Sequence, residues 1–104
     1  MAETPDRWVI LELSLPNVKA QKIFSGWYGG YGGSDSWRLS SQIVDAKEFD
    51  DRYEFHTESG NEYHCHKQAA GMSGYMSSIY NGWIAQQDDD VTIRVLETIN
   101  VMDY

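Results

Sequence analysis

One interruption of a two-residue hydrophobic period constrains this chain more than any other feature. Met72, Tyr75, Met76, Ile79, Tyr80, Trp83 and Ile84 fall at helical spacing, whereas elsewhere apolar residues mostly alternate with polar ones in short runs. The pattern predicts a helix capped at Ser73 or just before it and reaching about Gln87, where Asp88, Asp89 and Asp90 stop it. The alternating runs predict strands. Arg7–Leu15 is the clearest, with Val9, Leu11, Leu13 and Leu15 on one face and Trp8 and Ile10 giving the other a partly apolar character. Shorter strands follow over 20–27 and 37–45, and the odd-numbered Val91, Ile93, Val95, Ile99 and Val101 read as a last strand interrupted at Glu97. A chain of 104 residues supports one core, so a single domain over 1–104 is expected. Its expected class is α+β: an antiparallel sheet of five or six strands with one helix packed across one face.

Residues 52–57 and 62–67 predict a hairpin whose loop length decides which side chains share a face. A loop of Glu58, Ser59 and Gly60 puts Tyr53, Phe55, Tyr63 and Cys65 together and gathers Glu54, His56, His64 and His66 on the reverse. It also puts glycine at the left-handed position that three-residue hairpins use. Shifting the register by one would mix apolar and polar residues on both faces.

Sixteen acidic residues against eight basic ones give a net charge of −8, which argues against attraction to nucleic acid or to anionic lipid. Asp45, Glu48, Asp50, Asp51, Glu54, Glu58 and Glu62 crowd a segment countered only by Lys47 and Arg52. Such a segment either keeps a small protein soluble or presents negative potential to a basic partner. No charged residue occurs between Lys67 and Asp88, yet Ser, Asn, Gln and Gly stud that stretch, so no membrane association is expected. The first residues lack a basic region followed by an apolar core, and a cytoplasmic address is the expectation.

The single cysteine excludes an internal disulfide framework. On a strand, Cys65 points opposite to His64 and His66, into the core, where a thiol is a poor nucleophile. His64 and His66 lie two apart on one face, roughly 6.5–7 Å from each other, and His56 joins them across the hairpin. If a metal binds, these three are the expected ligands. The plain alternative is a solvated outer face, and no cofactor is assigned.

Five glycines between 26 and 36 carry Trp27, Tyr28 and Tyr31, with Trp37 just beyond. This loop lacks the Gly-Lys-Ser/Thr ending of a phosphate cradle, and its aromatics suit either an interface or closure of the core. On the back of the helix, Gly74, Ser78 and Gly82 recur every four residues among uncharged neighbours. That ridge is a candidate contact with a second copy of the chain, as a homodimer, or with a target.

Gly26-Trp-Tyr-Gly-Gly-Tyr31, the run from Asp35 to Ile43, Tyr53-Glu-Phe55, Ser59-Gly60, Tyr63-His-Cys-His-Lys67 and the run from Gly71 to Tyr75 together resemble a set of small uncharacterised proteins of bacterial phages and mobile genetic elements. The resemblance spans residues 23–84. Small acidic proteins of such elements include anti-CRISPR and anti-restriction inhibitors, which bind host nucleases, often through surfaces imitating nucleic acid, and by analogy the resemblance implies an inhibitor of that type. The resulting expectation is a non-enzymatic, acidic protein-binding inhibitor in the cytoplasm of a bacterial host. It would occupy a basic surface of a nucleic-acid-binding defence complex without touching nucleic acid itself. Asp45, Asp50, Asp51, Glu54 and Glu58 would steer the encounter, and Trp27, Tyr28, Tyr31 and Trp37 would anchor it. A competing class is a small metal-binding protein or metal-dependent enzyme built on His56, His64 and His66.

Overall fold

The computed structural model describes residues 2–30 and 32–104. Within them the chain runs through β1 (Ala2–Glu3), β2 (Arg7–Leu15), β3 (Val18–Trp27), β4 (Ser36–Leu39), β5 (Ile43–Glu48), β6 (Arg52–Thr57), β7 (Glu62–His66), helix α1 (Gly74–Gln86) and β8 (Thr92–Val95). The mixture of strands and one helix matches the α+β expectation, but the expected single sheet of five or six strands is replaced by two sheets of four. They are ordered β1-β7-β6-β5 and β4-β3-β2-β8.

Strand β2 explains the second sheet. Its residues from Trp8 to Glu12 are all buried, so both faces need cover. Val9, Leu11 and Phe24 pack with Met76, Ile79 and Trp83 of α1. Trp8, Ile10 and Ile23 face the other way and pack with Ala46, Phe55, Tyr63 and Cys65 of the outer sheet. The result is three layers: an outer sheet, a middle sheet, and the helix. A strand sandwiched in this manner reads as a continuous apolar run, and Trp8-Val-Ile-Leu11 is that run.

Trp8 joins the layers most directly. It is 2% exposed, its indole nitrogen donates to the His66 carbonyl at 2.7 Å, and its ring meets Tyr53 and Phe55 edge-on at 5.9 and 6.0 Å. Such edge-to-face contacts add to the burial of the ring itself.

Two other expectations are corrected. The strand expected over 37–45 is two strands in different sheets, because the chain crosses between them after Leu39. At the crossing, the buried Ser40 hydroxyl accepts from the Ile23 amide at 2.9 Å and donates to the Ser41 carbonyl at 2.7 Å. Hydroxyl-to-backbone bonds of this kind stand in for ladder bonds as the chain leaves a sheet. The strand expected over 91–101 stops at Val95. Ile99 and Val101 still reach the core between the sheets, but from irregular chain and a short 3-10 turn.

The β6–β7 register agrees with the face argument: Tyr53 pairs with Cys65 and Phe55 with Tyr63. The loop is Glu58-Ser59-Gly60, closed by the Thr57 amide donating to the Asn61 carbonyl at 3.0 Å, and Gly60 has φ +93°. Helix α1 begins where its cap was expected, with the Ser73 hydroxyl accepting from the Met76 amide at 3.2 Å. Among the described residues, no helix is long and apolar enough to cross a membrane.

Trp8→Ala should cost about 3–5 kcal/mol of stability in denaturant unfolding, as a large aromatic removed from a tight core does. A loss below about 1 kcal/mol would contradict the two-sided packing of β2.

Tyr104, whose ring meets Phe55 at 6.2 Å, has its phenol pushed up to about 12, mainly by burial and then by Asp103 and Glu12. Its native value lies above the ordinary value of about 10. Its contribution is therefore complete below about pH 10 and is lost as pH rises through the native value. Tyr104→Phe should flatten the alkaline end of the stability profile; an unchanged decline would contradict this origin.

Candidate functional site

At one end of the molecule, the glycine-aromatic loop and the acidic β5–β6 turn converge. Between β3 and β4, the Tyr28 amide donates to Asp6 Oδ2 at 2.9 Å and the Gly29 amide to Asp35 Oδ1 at 2.9 Å. A Cβ on Gly29 would overlap the backbone of Gly33 and Ser34, and one on Gly33 would overlap the Gly29 carbonyl. Glycine at both positions thus lets the two sides of the loop close on each other. Tyr28, 55% exposed, borders an open cleft of about 800 Å³ whose lining also includes Asp50, Asp51, Arg7, His66 and Lys67.

The cleft mixes both signs of charge. Lys67 places its ammonium 2.7 Å from Glu48 Oε2 and 5.1 Å from the centre of the Tyr53 ring, and hydrogen bonding to Glu48 raises its pKa. Its amide donates to the Asp51 carbonyl at 2.9 Å, tying β7 to the acidic turn. Asp50 and Asp51 themselves are exposed.

The other expected partner residues are dispersed. Trp27 is half-buried and donates from Nε1 to the Thr4 carbonyl at 3.2 Å, on the cleft side. Trp37 is 41% exposed but packs with the middle sheet and helix, edge-on to Phe24 at 6.0 Å and to Trp83 at 5.3 Å. The aromatics therefore do not form one patch, and Tyr31 lies outside the described residues. Glu58 sits in the β6–β7 loop, where its amide donates to the Gln42 carbonyl at 2.8 Å, at the opposite end of β6 from Asp50 and Asp51. Asp45 and Glu54 stand between these ends, opposite His56 and His64 respectively.

All three histidines do project from the face opposite Phe55 and Cys65, but they do not gather as one group. His64 Nε2 lies 2.5 Å from Glu62 Oε2 and His56 Nε2 lies 2.8 Å from Glu62 Oε1, so one carboxylate sits between two imidazoles. The hydrogen bond with His64 holds the Glu62 carboxyl below its usual range. Glu54 Oε2 receives Arg52 at 2.8 and 2.9 Å and lies 3.9 Å from His64 Nε2. His66 belongs instead to the row of Arg52 and to the cleft, which corrects the expected ligand trio. Cys65 is fully buried and its thiol is pushed up by burial, so it is not poised as a nucleophile.

The ridge of Gly74, Ser78 and Gly82 faces outward, with open space where a Cβ would stand on either glycine. Sequence reasoning missed the buried Glu12, which receives Arg94 at 2.6 and 2.9 Å and has Lys19 Nζ at 3.9 Å. Its signal was present: Glu12 shares the parity of Trp8 and Ile10, so its carboxylate had to point inward and find a cation.

No protein-family model matches the sequence, and no curated protein or solved structure matches it either. Geometry and charge alone bear on what the site does.

Asp35→Ala should loosen the Tyr28–Gly29 corner without unfolding the domain. Amide exchange at Gly29 should accelerate by about tenfold, the equivalent of one lost hydrogen bond. Unaltered exchange there would show that the glycine crossing alone holds the loop.

Proposed function

We propose that the protein is a non-enzymatic docking protein that covers a basic surface of a host nucleic-acid-handling defence complex. One observation carries the reading: carboxylates, all exposed except that of Glu54, which Arg52 holds, are spread along the whole of β6 and its flanks. Asp50 and Asp51 stand before the strand, Asp45 and Glu54 beside and on it, and Glu58 follows it. Six residues of strand span roughly 20 Å, so this is an extended strip of negative charge, with Tyr28 at one end. A strip of that shape complements a basic groove that would otherwise follow a phosphate backbone. The net charge of −8 adds long-range attraction, and Tyr28 offers a large, rigid contact.

The decisive experiment immobilises the full chain, captures its partner from bacterial lysate and identifies it. The expected partner binds nucleic acid, is released by competing DNA or RNA, and is held more weakly as salt rises. Asp50→Lys combined with Asp51→Lys should reduce capture by more than tenfold, mostly through slower association. Capture insensitive to salt, to competitor and to charge reversal would overturn the proposal.

A further inference from the structure

We infer that the outer face of the β6–β7 hairpin is a binding site for a divalent transition metal, with Glu54, His56, Glu62 and His64 as its ligands. These four form a two-by-two array. Glu54 stands directly opposite His64, and His56 directly opposite Glu62, on adjacent antiparallel strands. Directly opposed residues have Cβ atoms about 4.5–5.5 Å apart, and residues two apart along a strand about 6.5–7 Å. Four side chains on such a rectangle converge on a point above its centre.

Three of the four functional ends already converge, and the fourth, His56, touches one of them. Glu54, Glu62 and His64 each bring one ligand atom within 4.8 Å of the others, and His56 reaches the second oxygen of Glu62 at 2.8 Å. Tetrahedral zinc, with bonds of about 2.0–2.1 Å, needs ligand atoms roughly 3.3 Å apart, so small side-chain rotations close the set. Two imidazoles and two carboxylates suit zinc, and the carboxylates offset its charge. Arg52 holds Glu54 Oε2, the oxygen that lies 3.9 Å from His64 Nε2; ligating carboxylates are usually hydrogen-bonded by such an outer partner. Asp45 and Lys47 flank the array from β5, and Ala2 flanks it from β1. The inward side chains beneath are Phe55 and Tyr63, so binding leaves the core as it is.

The site shares Glu54 with the docking strip, but zinc titration needs no partner and capture of a partner needs no metal, so the failure of one reading is distinguishable from the failure of the other. The test is calorimetric titration of zinc sulfate into full-length, tag-free protein, alongside NMR of the histidine side chains. The expected result is one zinc per chain, with imidazole signals of His56 and His64 shifting and that of His66 unmoved. His64→Ala, His56→Ala and Glu62→Gln should each weaken binding by at least about tenfold, the lower bound seen for outer partners of metal sites. His66→Ala should stay within about twofold of the parent. Circular dichroism of each variant without metal should match the parent, since these side chains lie on the solvent side. No saturable binding, several zinc ions taken up without a defined stoichiometry, or equal losses for His66→Ala and His64→Ala would each overturn the assignment. The spectra of the unsubstituted protein decide the matter even if one variant misfolds.

Discussion

Burial of β2 on both faces is the constraint from which the rest of the architecture follows. A strand carrying Trp8 and Ile10 one way and Val9, Leu11 and Leu13 the other cannot rest beneath a single layer. The helix satisfies one side, and the outer sheet must supply the other. That requirement sends the chain across at Ser40 and brings it back through residues 67–71, where the Gly71 amide donates to the Trp8 carbonyl at 2.8 Å. Glu12, next along the Trp8 face, is pulled inside with them and is tolerated because Arg94 is there to meet it. Were β2 covered on one side only, there would be no reason for two sheets.

The same constraint governs which parts of the molecule are available for recognition. The middle sheet is largely spoken for, and Trp37, exposed though it is, leans on Phe24 and Trp83. The outer sheet has one committed face and one free face. Its free face and its ends carry the concentrated charge: carboxylates along β6, histidines alternating with them, and the cleft where Tyr28 meets the acidic turn. The edge strand β5 bears a register shift between Ile43 and Asp45, a bulge of the kind that discourages another strand from pairing there.

Legibility in the sequence followed how unambiguous each local pattern was. The β6–β7 register was readable because only one loop length kept Tyr53, Phe55, Tyr63 and Cys65 on one side, and the helix cap because Ser73 stands directly ahead of a clear change of period. The second sheet was not, since the apolar character of Trp8 and Ile10 was visible without any sign of what would cover them. The break after Leu39 escaped because Ser40 and Gln42 preserve the alternation while the chain changes layers. The strand after the helix was overextended for a similar reason: Ile99 and Val101 are apolar because they reach the core, which irregular chain can also do. The histidines were placed on the correct face, but alternation alone could not show that Glu62 would sit between His56 and His64 and that His66 would turn to the cleft.

The hairpin interleaves two sets of demands on one short length of chain. Odd-numbered Tyr53, Phe55, Tyr63 and Cys65 answer to the interior, while even-numbered Glu54, His56, Glu62 and His64 answer to whatever lies outside. Selection can therefore revise the outward set residue by residue while the inward set keeps the strands in place. A lineage of such proteins could change its ligand quickly and its scaffold scarcely at all, leaving descendants alike in shape whose outward chemistry has little in common.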